Sequence, residues 1–418
     1  MNTNTNKIAE MIEEAAGWEA QEEDMVLSSS SIRFDEETDS INLMQKSLFG
    51  DVLTYPMSEH ALVQFANRMN LPSSARLIRA LANDVPGAAG GLFNDVLGVP
   101  SYGWYANGKE PKKHLLRFLG PIDKYSEEWH ARAVMGPNWT PLPITRFLDL
   151  LMEHSYEMKQ AEGLEFAAEN LLRYNGNVVD VEVGEGSPFA INRIRSWSPN
   201  EQSFSVTANM KVYIDGDDSG FSPGFMVSNS AISRRTFRLV KYVERVVCTN
   251  GMTVIVPANR EDMAYNPYIR HDQTLAQMLT EVQYGLTHVL PSSIGYIDSI
   301  ATATRIQLRE PAALLSALVD AIVPERDRND VLVNIGRGDS ISGDSHTLMG
   351  VVNRLTYAAH ASSVSAGVAE QLEAVAGSTV AAVHKVVSAD GNVTDDMINN
   401  LFFGFAKIDQ EMVGVEEE

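Results

Sequence analysis

The stretch from Ser233 to Cys248, SRRTFRLVKYVERVVC, sets five bases, Arg234, Arg235, Arg238, Lys241 and Arg245, against one acid, Glu244. On an extended strand, where successive side chains alternate faces, Arg235, Lys241 and Arg245 share a face with Phe237, while Arg234 and Arg238 share the other with Tyr242. Bases interleaved with rings suit a single-strand-binding surface, because cations follow phosphates while rings stack on bases. A sheet edge whose charges pair with neighbouring acids reads the same way, so both interpretations stand. Lys112, Lys113 and Arg117 of KKHLLR would extend such a surface if the fold brings them close.

Cys248, the one cysteine, is followed by Thr249, Asn250 and Gly251. Its nearest base is Arg245 and no histidine is close in sequence, so nothing visible lowers its thiol pKa. The expectation is a structural thiol packed beneath a hairpin whose tip is Asn250-Gly251, with a nucleophile as the alternative. Nine histidines form no HxH, HExxH or CxxC spacing, so neither a metal nor a cofactor is expected. Asp215 and Asp217 of DGDDSG resemble the start of a calcium loop, but Met226 stands where the bidentate Glu belongs, which favours a solvated turn. GAAGG at 87–91 lacks the Lys-Ser/Thr of a phosphate loop and reads as a flexible connector. Arg337-Gly338-Asp339 is taken as a chance tripeptide. No GxSxG or other catalytic signature is present, and the reading leans away from an enzyme. Ligands gathered from distant segments would escape any such scan.

These residues must be positioned by the surrounding elements. Ile8, Met11, Ile12 and Ala15 line one face of a short N-terminal helix, and SSSSIRFDEETDS reads as linker. Ser58 caps a helix carrying Leu62, Phe65, Ala66 and Met69 before Pro72, and Ser73 or Ser74 caps the next. ARAVM at 131–135 reads as a strand. The middle third is β-rich, with Asn-Gly pairs at 175–176 and 250–251 expected to turn hairpins. After 270 the chain is helical, with Thr274 as cap and Pro311 at a first helical position. The fold class expected is α+β: N-terminal helices, a central antiparallel sheet and a helical C-terminal region. The layout expected is 1–45 acidic helix and linker, 46–265 α+β domain, 266–408 helical region and 409–418 acidic tail.

The chain of 418 residues is 44% apolar and 21% charged, which suits a globular protein. Residues 1–39 hold eleven acids against Lys7 and Arg33, and residues 409–418 hold five acids and no base, so most of the net charge of -22 lies at the ends. Acidic ends can be inert or can compete with nucleic acid for a basic groove. One cysteine points to a reducing compartment, the start lacks the features of an export signal, and no run reaches the roughly 18 apolar residues of a membrane span.

The segment MVSNSAISRRTFRLVKYVERVVCTNGM resembles the signature of the domain-of-unknown-function 932 family, the phage- and plasmid-related proteins in which an SNS turn leads through an amphipathic strand to a Cys-Thr-Asn-Gly-Met core. LTYPMSEHALVQFANRMNLP and HARAVMGPNWTPLPITRFLDLL are similar to its upstream pieces, with Trp139 in place of the usual Tyr. The likeness spans roughly residues 50 to 260. It implies a mobile-element protein in a bacterial cytoplasm and brings no catalytic residues. Together with the basic strand it leads to an expected non-enzymatic, single-stranded-DNA-handling protein that could form a homo-oligomer and has no membrane partner. The alternative is a scaffold factor that binds a host or phage protein through its acidic ends and N-terminal helix.

Overall fold

The computed structural model describes residues 3–35, 37–43, 53–69, 74–85, 87–98, 113–120, 129–215, 217–234, 236–245, 250–254, 268–338, 346–381 and 383. The first part of the chain runs α1 (Thr3–Glu19), β1 (Glu22–Ser28), β2 (Ile32–Phe34), β3 (Ile41–Leu43), β4 (Leu53–Tyr55), α2 (Glu59–Arg68), α3 (Ser74–Asp84), α4 (Ala88–Gly98), β5 (Lys113–Leu119) and β6 (His130–Met135). Then follow α5 (Ile144–Gln160), α6 (Gly163–Tyr174), β7 (Val178–Val183), β8 (Phe189–Trp197), β9 (Glu201–Ala208), β10 (Met210–Ile214), β11 (Asp217–Ser230), β12 (Phe237–Arg245), β13 (Asn250–Val254) and β14 (Tyr268–Ile269). The last part is helical: α7 (Leu275–Ala303), α8 (Pro311–Ile322), α9 (Glu325–Gly338), α10 (Leu348–Ala359) and α11 (Ala366–Ala381). The architecture is α+β, with a large antiparallel sheet in the middle and helices at both ends. No helix among the described residues is long and apolar enough to cross a membrane.

The 14-residue β11 is the spine of the large sheet. One edge pairs with β12 along Phe221–Ser228; the other pairs first with β10 and then, from Gly224 onward, with β9. Pro223 falls at that change of partner, which accommodates a residue with no amide hydrogen in an interior strand. Gly224 follows because β9 comes too close for any side chain: an added Cβ would lie 2.1 Å from the Val206 carbonyl oxygen. Ser293 of α7 donates to the Gly224 carbonyl at 2.6 Å and ties the longest helix to this point. Phe147, Phe189, Phe204, Phe225 and Phe237 fill the layer between sheet and helices.

Ser58 caps α2 as expected, accepting from the Ala61 amide, and Leu62, Phe65, Ala66 and Met69 are buried. Thr274 and Gln277 form a reciprocal capping box on α7. Other expectations change. The supposed linker carries β2 and β3, because Ile32, Phe34 and Ile41 are buried against α2 and α4. GAAGG is no connector: it opens α4. Asp39, held in the left-handed region at φ 56°, accepts from the Gly87 and Gly90 amides and so supplies from within the chain the anion that a helix N-terminus attracts. Gly90 has no room for a side chain, 2.6 Å from the Asp35 carbonyl oxygen. Asn175-Gly176 links α6 to β7 rather than turning a hairpin. Asp215 lies between β10 and β11 and pairs with Arg305. The Asp339 of the tripeptide, Pro72 and residues 409–418 lie outside the described residues.

The acidic N-terminus is not a tail. Ile8, Met11, Ala15 and Trp18 pack into the main core, Trp18 against Trp197 at 5.3 Å, and Glu19 accepts from the Thr145 amide and hydroxyl at the start of α5. β1 pairs with β5 and brings Glu22 and Asp24 onto two buried arginines. Asp24 grips Arg117 with both oxygens at 2.8 and 2.9 Å, and Glu22 pairs with Arg132 and, at 3.5 Å, with Arg117. The arginines reach on to the large sheet: Arg117 donates to the Ala231 carbonyl and stacks over Trp139, and Arg132 donates to the Pro199 carbonyl and Asn200. Removing one partner of such a buried set leaves an uncompensated charge, so Arg117→Ala should cost about 3–5 kcal/mol. Arg79→Ala, which breaks the exposed pair with Glu59, should cost at most about 1 kcal/mol. Urea unfolding midpoints of the two variants check this; equal losses would mean the Arg117 set is not the seam described.

Candidate anion pocket

The basic–aromatic strand is β12, and it is an interior strand, flanked by β11 on one side and by β13 and β14 on the other. Phe237 is fully buried in the main core, and Tyr242 is fully buried on the opposite face with Met226 and Val240. Neither ring offers a stacking face. Arg245 is buried, Arg238 and Lys241 are half-buried, and burial draws the Lys241 ammonium below its ordinary pKa. Long aliphatic stems let these cations sit between paired strands. Arg117 belongs to the buried seam. Arg234 and Lys113 stay exposed, Arg234 beside Glu201 at 3.5 Å. Lys112, Arg235, Cys248 and Thr249 lie outside the described residues. Asn250 and Gly251 are not the hairpin tip; they open β13 opposite Arg245 and Glu244.

A different set of side chains converges at the other edge of the sheet. Strict alternation along β8 would put Phe189, Ile191, Arg193 and Arg195 on one face, the core face that Phe189 and Ile191 occupy. Two β-bulges prevent this. Ile191 pairs with Val206, but Arg193 pairs with Ser205; Ile194 pairs with Phe204, but Ser196 pairs with Ser203. The extra residues turn both arginines off the core face, the local re-aiming that bulges provide near functional sites.

Opposite them stand α10 and α11. His360 is the C-cap of α10, and Glu373 lies midway along α11, whose Ala-rich sequence lets it pack closely. Glu373 is 0% exposed. It pairs with Arg195 through Oε2 and with His360 Nε2 through Oε1 at 2.8 Å, while Arg193 Nη1 approaches the same Nε2 at 2.5 Å. These groups line a cavity of about 320 Å3 together with Ser203, Ser228, Gln202 and Asn229. The Asn229 amide nitrogen donates to the Leu142 carbonyl and to Gln202 Oε1, which leaves its buried Oδ1 an acceptor with no partner among the described residues.

Burial alone would raise the Glu373 pKa, but the His360 hydrogen bond and the charge of Arg195 outweigh it and hold the carboxyl below its ordinary value. Burial, helped by Arg193 and Arg195, outweighs the Glu373 contacts at His360 and holds the imidazole below its ordinary value. A neutral imidazole fixed by an ionised carboxylate is a competent proton acceptor, and the Arg193 guanidinium beside it can take an oxyanion. Sequence spacing missed the set because 167 residues separate Arg193 from His360 and 178 separate Arg195 from Glu373. The signals present were Arg-Ile-Arg within an apolar strand and an acid, Glu373, set between Leu372 and Ala374 on α11.

The pKa directions set the pH response. A carboxyl held low stabilises the fold fully above its unfolded value of 4.5 and loses that contribution as pH falls through the lower folded value. A histidine held low likewise loses stability as pH falls below 6.5. Glu373→Gln should cost about 3 kcal/mol at neutral pH, and its melting temperature should fall less than the wild type's on acidification below pH 4.5, where the wild-type carboxylate takes up its proton. Parallel melting curves across that range would show that Glu373 does not carry the buried charge. No protein-family profile, no curated protein and no solved structure matches this chain, so the pocket is read from its own geometry.

Proposed function

We propose that the protein binds a small oxyanionic ligand, a phosphate or carboxylate, in the cavity between β8–β9 and α10–α11, and that His360, held by Glu373, exchanges a proton with it. The observation that carries this reading is the pair of bulges in β8, which bring Arg193 and Arg195 to one buried acid and one histidine in a single cavity. A merely structural ion pair needs one arginine; a second beside it, with no carboxylate within ion-pair distance among the described residues, suits an anion from outside. This is the case of functional groups gathered from distant segments.

Single-stranded-DNA handling is the second reading. It draws support from the likeness of residues 226–252 to the phage and plasmid family, and from exposed Lys113 and Arg234, which both lie beside α2, Arg68 donating to the Lys113 carbonyl and Arg234 approaching His60. Calorimetric titration of the full chain with inorganic phosphate, a nucleoside monophosphate and a single-stranded oligonucleotide separates the two. Ala361→Trp fills the cavity from the half-buried connection between α10 and α11. It should weaken phosphate and monophosphate binding about tenfold or more, a loss of about 1.4 kcal/mol. Oligonucleotide binding that is strong, salt-sensitive and indifferent to Ala361→Trp would replace the pocket with a surface site.

A further inference from the structure

The geometry points to Arg193 as the residue that selects an anionic ligand for this pocket, doing so by exchanging His360 Nε2 for the ligand. The inference rests on the small-anion reading above and deepens it. A ring nitrogen carries either a hydrogen or a lone pair, so Nε2 cannot donate to Glu373 and accept from Arg193 together. With Glu373 Oε1 at 2.8 Å and Arg193 Nη1 at 2.5 Å from that one atom, the two neighbours compete for it.

Which neighbour yields follows from burial. Glu373 is fully buried and fixed through its other oxygen by Arg195, so losing a hydrogen bond leaves a charged acceptor without solvent. Arg193 is half-buried on an irregular strand and faces the cavity, so its guanidinium can turn to an oxyanion at little cost. The charged groups facing His360 are Glu373 from α11 and Arg193 and Arg195 from β8, and Glu201 of β9 lines the same cavity. Withdrawing Arg193 removes one cation from the imidazole and leaves Nε2–H to Glu373 alone. Ligand charge and His360 protonation are thereby coupled, and by reciprocity the anion binds more tightly as His360 becomes protonated. Arg193 is in this sense a positioning and selecting residue, while His360 carries the proton.

The test follows the ring resonances of His360 in the full-length protein through a pH titration, assigned with His360→Gln, alongside phosphate titrations by calorimetry. In the wild type, phosphate should raise the His360 midpoint. In Arg193→Gln the midpoint should already be raised without phosphate and should not respond to it, and phosphate affinity should fall about tenfold or more. Arg193→Lys, which keeps a cation without the planar fork, should retain part of the phosphate affinity. Thermal melts that match the wild type's establish that the variants fold. A wild type that takes up phosphate while Arg193→Gln leaves both affinity and midpoint untouched overturns the role of Arg193 alone. A wild type that takes up no phosphate, with no change of its His360 midpoint, overturns the anion-pocket reading and this inference with it.

Discussion

Two buried arginines determine how the sheets of this molecule meet. Arg117 and Arg132, 3% and 4% exposed, sit where the small β1–β5–β6 sheet meets the ends of β9 and β11. Their charge is tolerable because β1 delivers Glu22 and Asp24 to them and because backbone carbonyls beside the ends of β9 and β11 accept further hydrogens from them. A buried ion set of this kind adds little net stability compared with an apolar core, but it is unforgiving of a wrong arrangement. It therefore fixes which surfaces of the two sheets meet. The acidity of the first 39 residues has the same origin: several of those acids neutralise cations or helix ends elsewhere in the chain.

The seam also bears on the pocket. Ala231, which receives Arg117, lies two residues beyond Asn229, and Pro199 and Asn200, which receive Arg132, lie just before Glu201 and Gln202. Asn229, Glu201 and Gln202 are cavity wall. The strand ends that frame the cavity are thus clamped from behind by the arginine set, while β8 and the α10–α11 connection supply its other walls. Both sites follow one physical rule: a charge is buried only where another chain segment brings its partner.

Local patterns were readable in the sequence. Ser58, Thr274 and Pro311 announce helix starts because capping chemistry acts over three or four residues, and ARAVM announces a strand because its apolar run is bounded by turns. Partnership was not readable. Whether Arg117 faces water depends on a strand ninety-three residues earlier. The alternation of β8 even pointed the wrong way, since the two bulges that reverse it are set by register against β9. Asn-Gly pairs likewise gave turn propensity without saying that one would end a helix and the other would open a strand.

The bulged strand has one more consequence. Among the described residues β8 pairs only with β9, so it is a rim of the large sheet, and a rim offers unpaired amides and carbonyls to any passing extended chain. A flat, regular rim of nine residues would be a template for aggregation. Two interruptions of the ladder and the arginines they turn out spoil that template, so the distortion that shapes a cavity also keeps separate copies of the protein from zipping together.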